Sequence, residues 1–298
     1  VLGNTSSYFA TVLISILFAC SSFLCAVVKD PAPGPLISRS LSLCEFAMKK
    51  FDWENPIRQN TFILHLIGLW PITSNWYKNT LYTIYAILFG FLALSHVVFQ
   101  AISNVFLFDD LEALSDTLFV TLTEILVTVK VYFFVLNIRV IKILLLMLKS
   151  GHFQPKTTKQ ISRVQPKLNI YRKIYYMYRS VVIGSGIFWC GIPFLDGTVK
   201  LHRLPFIVRY PYNFGLSPLY ELSYIYQFVA IMYIAFANVG VDMMVAALMI
   251  YIGTQCIILC ANFKKLDSDK TYVNKNISEC VDHHKEILRY KFFLWQYF

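Results

Sequence analysis

The sequence predicts an all-α protein, a polytopic bundle of helices that crosses a membrane several times. Of its 298 residues, 57% are hydrophobic and only 15% are charged, and the mean hydropathy is +0.55. Soluble domains carry about 25% charged residues, because polar groups must cover their surface. Long apolar runs also recur along the chain. These observations exclude an ordinary soluble enzyme, a disordered protein and a nucleic-acid-binding module, although the net charge is +10.

Five apolar runs are candidates for membrane spans, since a bilayer core of about 30 Å needs about 20 helical residues. They are residues 8–28, 79–108, 117–136, 181–195 and 222–263. The fourth run is short unless residues 175–178 extend it. The fifth holds 42 residues without proline, and one helix of that length measures about 63 Å. It therefore predicts a helix that projects beyond the bilayer into a helical bundle outside the lipid.

The flanking charges predict the orientation of these spans. Residues 137–179 include ten basic residues and no acid, whereas residues 109–116 include four acids and no base. Because Lys and Arg accumulate on the cytoplasmic side of a membrane, the basic segment is expected inside and the acidic one outside. The amino end of the body then lies in the cytoplasm, an orientation opposite to that of a G-protein-coupled receptor.

Both ends of the sequence differ from the body between them. The chain begins at Val1, and its first methionine is Met48. Residues 1–47 could be an extra span, a signal-like segment or a stretch foreign to the fold, and the lack of a basic stretch before the apolar run disfavours a secretory signal. We therefore divide the chain into an apolar extension, 1–47, and a transmembrane body, 48–298. The apolar run at 292–298 looks like the start of a further helix.

Catalytic and metal-binding motifs are missing from the sequence. It contains no nucleophile elbow, zinc-protease helix, P-loop or dinucleotide-binding fingerprint. His283 and His284 lie near Cys280, but a metal site needs more converging ligands. We therefore expect no enzyme activity, no cofactor and no metal.

Aromatic, small and hydroxyl side chains at the outer ends of the spans suggest a pocket for a small, mostly apolar molecule. The candidates are Phe119, Thr123, Gly186, Phe188, Trp189, Tyr220, Tyr224 and Gln227. Aromatic belts at membrane interfaces produce a similar pattern, so this interpretation competes with a purely structural one. Charges inside spans are also functional candidates. Lys130 is expected either to anchor its helix structurally or to take part in gating. Asp242 is expected to join a polar network among helices.

Four short segments follow one another in a recognisable order. They are LIGLWP at 66–71, LPFIVRYPY at 204–212, PLYELSYIYQ at 218–227 and DHHKEILR at 282–289. Together with the cytoplasmic amino end, this ordered set resembles the insect odorant receptor family over residues 48–298. The resemblance covers four family helices and the opening of the fifth. It implies that helices five to seven are missing and that residues 1–47 are an extra apolar segment.

The resemblance implies a seven-helix subunit of an odorant-gated cation channel. Such subunits lie in the plasma membrane of sensory-neuron dendrites and assemble with a shared coreceptor as a hetero-tetramer, through a cytoplasmic bundle. The implied ligand is a small apolar or weakly polar odorant, held in the outer half of the family's second, third, fourth and sixth helices. The resemblance also implies that the protein contacts membrane lipid and binds no nucleic acid. A gustatory-type receptor of the same architecture stays open as an alternative, and a secondary transporter is disfavoured by the absence of internal repeats.

Overall fold

The protein is described by a computed structural model that covers residues 51–71, 79–107, 109–266 and 273–297. All regular elements in these ranges are helical. The α-helices are α1 (Arg58–Leu66), α2 (Thr80–Val105), α3 (Leu111–Leu136), α4 (Ile138–Leu148), α5 (Thr158–Leu195), α6 (Leu219–Leu266) and α7 (Val273–Tyr297). The apolar run at 8–28 and the extension 1–47 lie outside the described residues.

Four of these helices are long and apolar enough to cross a membrane. The spanning segments are Thr80–Val105, Ala113–Leu136, Thr158–Leu195 and Leu219–Lys264. This confirms the prediction of a polytopic helical protein. The fourth predicted run differs in extent, because α5 already begins at Thr158. Much of the basic segment expected as a loop is therefore helical, in keeping with the helix propensity of Lys and Arg.

The long apolar run after Glu221 forms one uninterrupted helix, as its sequence predicts. Helix α6 has 48 residues, and Gly240 does not break it. The Asn60 side-chain nitrogen donates to the Gly240 carbonyl oxygen at 3.0 Å. A Cβ at position 240 would lie 2.5 Å from Leu64 Cδ2. Glycine at this position therefore lets α1 approach the backbone of α6 closely.

The short apolar segment 66–71 forms a tight turn after α1 rather than a span. Gly68 has a φ of +84°, and a Cβ there would lie 2.8 Å from Ala86 Cα. Both the positive φ and the close approach to α2 require glycine at this position. Ile67 and Leu69 on either side of it are buried, so the turn is fixed by packing.

The chain divides into two compact units. The first contains Gln59–Arg139 and Ile174–Met244, and the second contains 51–58, Val140–Lys173 and the residues from Val245 onward. The second unit has an aromatic core in which the Tyr251 hydroxyl donates to the Trp53 carbonyl oxygen at 2.6 Å. Tyr290 is also fully buried there. The unit is built from segments for which the charge pattern predicts a cytoplasmic position.

A buried histidine links three elements of this second unit. His283 Nε2 lies 3.1 Å from Gln255 Oε1, and the Gln255 amide nitrogen donates to the Phe153 carbonyl oxygen at 3.2 Å. Burial, together with a smaller effect of nearby basic side chains, lowers the pKa of His283 to about 4. These groups are His152, Lys156 and His284. His283 is therefore neutral near neutral pH.

Candidate functional site

Polar side chains are buried along one face of α2 and one face of α3 in the first unit. On α2 they are His96, Gln100, Ser103 and Asn104, and on α3 they are Thr117, Thr121 and Glu124. Their spacings of three, four and seven residues place each set on a single helix face. The Asn104 side-chain nitrogen donates to Thr121 Oγ1 at 2.8 Å. The two polar faces therefore meet inside the bundle.

Glu124 supplies the carboxyl group of this buried cluster. Its side chain is only 5% exposed, and His96 Nε2 lies 3.7 Å from its Oε1. The Gln100 amide, in the orientation that satisfies its hydrogen bonds, donates to both carboxylate oxygens at 3.3 and 2.8 Å. No Lys or Arg of the described ranges pairs with Glu124. A buried carboxylate without a cation is costly, and such groups inside a span mark functional sites by default.

The segment between α5 and α6 inserts one aromatic side chain beside this cluster. Phe206 is buried, with its ring centroid 6.3 Å from that of His96 and 5.7 Å from that of Trp189, on which it stacks. Gln227 of α6 fixes its backbone. The Phe206 N–H donates to Gln227 Oε1 at 3.1 Å, and Gln227 Nε2 donates to the Phe206 carbonyl oxygen at 3.2 Å. The fully buried Gln227 side chain thus acts as a clamp on the inserted loop.

Other contacts hold the same loop at its two sides. The Tyr220 hydroxyl donates to the Arg203 carbonyl oxygen at 2.9 Å, and the Arg209 N–H donates to Ser103 Oγ at 2.6 Å. The Arg209 guanidinium lies 4.8 Å from the centre of the Phe106 ring, a cation–π distance. These bonds fix residues 203–209 against α2 and α6.

Two tyrosines adjoin the residues that contact the inserted loop, Tyr226 beside His96 and Tyr210 beside Gln227. Tyr210 packs 6.0 Å from Tyr226, whose hydroxyl lies 2.6 Å from Ser95 Oγ. Gln227 Nε2 donates to the Tyr210 hydroxyl oxygen at 3.2 Å. Burial raises the pKa of Tyr210, although the bond to Gln227 opposes this. The hydroxyl therefore stays protonated, and the site offers neutral aromatic and hydroxyl groups.

Several buried polar atoms near this ring have no hydrogen-bond partner within the described residues. They include both ring nitrogens of His96 and the indole nitrogen of Trp189. Buried polar atoms of this kind are rare and costly, so each requires an explanation. No group of three metal-ligating side chains occurs within the described ranges. The arrangement therefore suits a small molecule held by aromatic contact and a few hydrogen bonds.

The structure brings some of the sequence-predicted residues together at this site. Trp189 stacks on Phe206, Gln227 clamps its backbone, and Tyr220 bonds the start of the loop. The Tyr224 hydroxyl donates to the Cys190 carbonyl oxygen and so joins α6 to α5 nearby.

The other predicted residues make different contacts. Gly186 faces α6, where a Cβ would lie 2.7 Å from Met232 Sδ. Phe119 and Phe188 are 38% and 46% exposed. The Thr123 hydroxyl donates to the Phe119 carbonyl oxygen of its own helix at 3.0 Å. Gly186 thus packs against α6, and Thr123 is bonded within its own helix.

The two charges predicted inside the spans form an ion pair with each other. Lys130 Nζ lies 3.1 Å from Asp242 Oδ1 and 3.2 Å from Asn238 Oδ1. The side chains of Lys130 and Asp242 are 47% and 38% exposed. The two residues were predicted to act separately, although opposite charges on two spans favour pairing. The pair joins α3 to α6.

Sequence reasoning missed the polar face of α2. His96, Gln100, Ser103 and Asn104 lie within a run that was interpreted only as uncharged. Their helical spacing was the available signal, because a lipid-facing helix does not place polar groups in one stripe. Phe206 was noted only as part of a family-like loop. Its insertion depends on contacts with α2, α5 and α6 that sequence does not show.

Comparisons with known proteins agree on one family. The family model described as 7tm odorant receptor matches residues 110–294. Odorant receptor Or1 of Anopheles gambiae is 26% identical over 262 residues, which cover 79% of this chain and 60% of that receptor.

Solved structures show a similar fold. The insect olfactory receptor OR5 from Machilis hrabei gives a TM-score of 0.68 at 19% identity, and its complex with eugenol gives 0.69 at 20%. Each match covers 81% of this chain and 64% of OR5. The chain therefore spans about three-fifths of the length of these relatives.

Proposed function

The chain belongs to the 7tm odorant receptor family, and we propose that it forms the ligand-binding part of an olfactory receptor subunit for small volatile organic molecules. The observation that carries this proposal is the buried site around Phe206. There, unpaired polar atoms of His96 and Trp189 adjoin aromatic rings inside a membrane bundle. The eugenol complex of OR5 supports a ligand of this size class.

The proposed pocket lies between α2, α5 and α6. Trp189 stacks on the inserted Phe206, and Gln227 holds its backbone. Tyr220 bonds the same loop at Arg203, and Tyr224 joins α6 to α5. We retain the remaining sequence-predicted positions as candidates on neighbouring faces of a full-length receptor. They are Phe119, Thr123, Gly186 and Phe188.

We further propose that the full-length receptor opens a cation channel together with a coreceptor. An odorant that binds the open conformation better than the closed one shifts the population toward the open state. The continuous helix α6 and the ion pair between Lys130 and Asp242 are candidates for transmitting or stabilising this change. The family membership supports this role, and it agrees with the absence of catalytic motifs in the sequence.

The proposed location is the plasma membrane, with the amino end of the body in the cytoplasm. Glycosylation mapping tests the orientation directly. A glycosylation sequon engineered into residues 109–116 should be modified, whereas one engineered into 150–167 should not. Modification of the second segment alone would overturn the orientation.

Heterologous expression tests the proposed function. The full-length receptor is expressed with the coreceptor, surface delivery is confirmed by antibody, and currents are recorded during application of a broad panel of volatiles. We expect currents that require both subunits. Silence to the whole panel, with both subunits at the surface, would contradict the proposal.

A further inference from the structure

The unpaired nitrogens of His96 specify which hydrogen-bonding groups a ligand needs. The His96 side chain is fully buried, and neither of its ring nitrogens has a partner among the described residues. Nε2 lies nearest to a carboxyl group, at 3.7 Å from Glu124 Oε1. A neutral imidazole has one N–H donor and one lone-pair acceptor, whichever nitrogen carries the proton. Because both nitrogens are unpaired, the ring presents one donor that lacks an acceptor and one acceptor that lacks a donor.

Glu124 does not supply the missing partner. The Gln100 amide nitrogen donates to both of its oxygens, and 3.7 Å is too long for a hydrogen bond between Glu124 Oε1 and His96 Nε2. Within the described residues, the lone pair of the imidazole therefore has no donor. The only chemistry that satisfies this lone pair is a hydrogen-bond donor.

The indole nitrogen of Trp189 has the opposite requirement. It is buried without a partner among the described residues, and an indole N–H can only donate. The Trp189 ring stacks on Phe206 at 5.7 Å, and the His96 ring meets Phe206 edge-on at 6.3 Å. The Trp189 N–H, which lacks an acceptor, and the His96 lone pair, which lacks a donor, therefore belong to two rings that both contact Phe206.

The position of the Phe206 ring indicates the size of the apolar part of the ligand. Phe206 comes from a loop rather than from a helix, and its side chain is a benzyl group packed against His96 and Trp189. A small molecule with a ring of similar size can take this place when the loop yields. A hydroxyl group on such a molecule supplies one donor and two acceptor lone pairs, which match the requirements of His96 and Trp189.

We propose that this site selects volatile alcohols or phenols over the corresponding ethers and hydrocarbons, and that His96 accepts a hydrogen bond from the ligand hydroxyl. The inference rests on the proposed function and adds the ligand class. An ether accepts hydrogen bonds but cannot donate to the imidazole lone pair of His96, and a hydrocarbon leaves both His96 and Trp189 unpaired. We expect the alcohol to act at about tenfold lower concentration than its methyl ether, which corresponds to about 1.4 kcal/mol.

Matched ligands and matched variants test the proposal in the full-length receptor with its coreceptor. The ligands are alcohols, their methyl ethers and their parent hydrocarbons, beginning with benzyl alcohol, benzyl methyl ether and toluene. The variants are His96→Leu, which removes the acceptor, and His96→Asn, whose side-chain oxygen can replace the imidazole lone pair. Concentration–response curves are measured for receptors whose surface expression has been confirmed.

The expected pattern has two parts. The wild-type receptor and His96→Asn should prefer the alcohol, and His96→Leu should respond to alcohol and ether at similar concentrations. If His96→Leu does not reach the surface, Trp189→Phe provides a second test, because it keeps the stacked ring and should weaken alcohol and ether alike while sparing toluene.

The outcomes separate this inference from the proposed function. Equal wild-type sensitivity to alcohols and ethers, or an alcohol preference that persists in His96→Leu, overturns the ligand class while odorant reception stands. If no volatile of the wider panel elicits current from surface-expressed receptor, the proposed function and this inference both fail.

Discussion

The clamp formed by Gln227 predicts a large effect of its removal on the loop that carries Phe206. In Gln227→Leu, the Phe206 N–H and carbonyl oxygen lose their partners, and the Tyr210 hydroxyl loses a donor. Each buried backbone group left unpaired costs about 1–3 kcal/mol. The closed loop should therefore lose at least about 2 kcal/mol, which corresponds to about a 30-fold rise in its open population.

Limited proteolysis measures this open population. Trypsin cleaves after Arg203 and Arg209, whose side chains are exposed but whose backbone is bonded to Tyr220 and Ser103. When the loop opens and closes faster than it is cut, the cleavage rate follows the open population. The experiment uses trypsin on intact cells that express the full-length receptor. Gln227→Leu should be cut about 30 times faster than the wild-type receptor.

A weaker substitution provides the matched control. Ser103→Ala removes the single acceptor of the Arg209 N–H, which costs about 1 kcal/mol and should raise the cleavage rate about fivefold. We therefore expect the cleavage rate to be highest in Gln227→Leu, intermediate in Ser103→Ala and lowest in the wild-type receptor. An unchanged rate in Gln227→Leu, at normal surface expression, would refute the clamp. The loop is expected outside the cell, because α5 crosses the membrane from the basic segment expected inside. Cleavage only in permeabilised cells would refute this position.

Three other sites predict separate effects. Because the pKa of His283 is lowered from about 6.5 to about 4, the unfolded chain binds the proton more strongly, and stability should fall by up to about 3 kcal/mol between pH 6.5 and 4. Melting temperatures of purified receptor, measured across this pH range, should show this fall, and His283→Gln should make the fall smaller. An equal pH dependence of the melting temperature in the two proteins would argue against this role of His283. Lys130→Met should reduce surface biotinylation severalfold by leaving Asp242 unpaired, and adding Asp242→Leu should restore it; an equal loss in the double variant would count against the pair. Gly186→Ala should cost about 1 kcal/mol in thermal melts, because its methyl group would meet Met232 Sδ, and Met232→Ala should remove that cost, whereas additive losses would show that the two do not touch.

Hydropathy and charge were enough to predict the helical membrane architecture. The run between Glu221 and Lys264 lacks proline and turn signals, and α6 is continuous through it. Helix α5 was harder to predict, because its amino-terminal half is rich in Lys and Arg and has no apolar run to mark it. Hydropathy detects the part of a helix that meets lipid, and the part that projects beyond lipid has to be inferred from other signals.

The site was only partly predictable for a related reason. Trp189 and Gln227 were identified as aromatic and amide groups at the outer ends of spans, and both contact the inserted loop. The roles of His96 and Phe206 depend on which helix faces meet and on how a loop folds back. These are tertiary contacts between residues more than 100 positions apart in the case of His96 and Phe206, and no local pattern encodes them.

The close crossing at Gly240 limits how this gene can diverge. Leu64 Cδ2 and Cγ would lie 2.5 and 3.0 Å from any β-carbon introduced at position 240. Rotation about the Leu64 Cβ–Cγ bond moves Cδ2 but not Cγ, so the tip of the side chain alone cannot relieve the contact. A larger residue at 240 should therefore survive in sister species only where position 64 has become smaller. Among paralogues, we expect substitutions at positions 64 and 240 to occur together. An alignment of related sequences would test this without any functional assay.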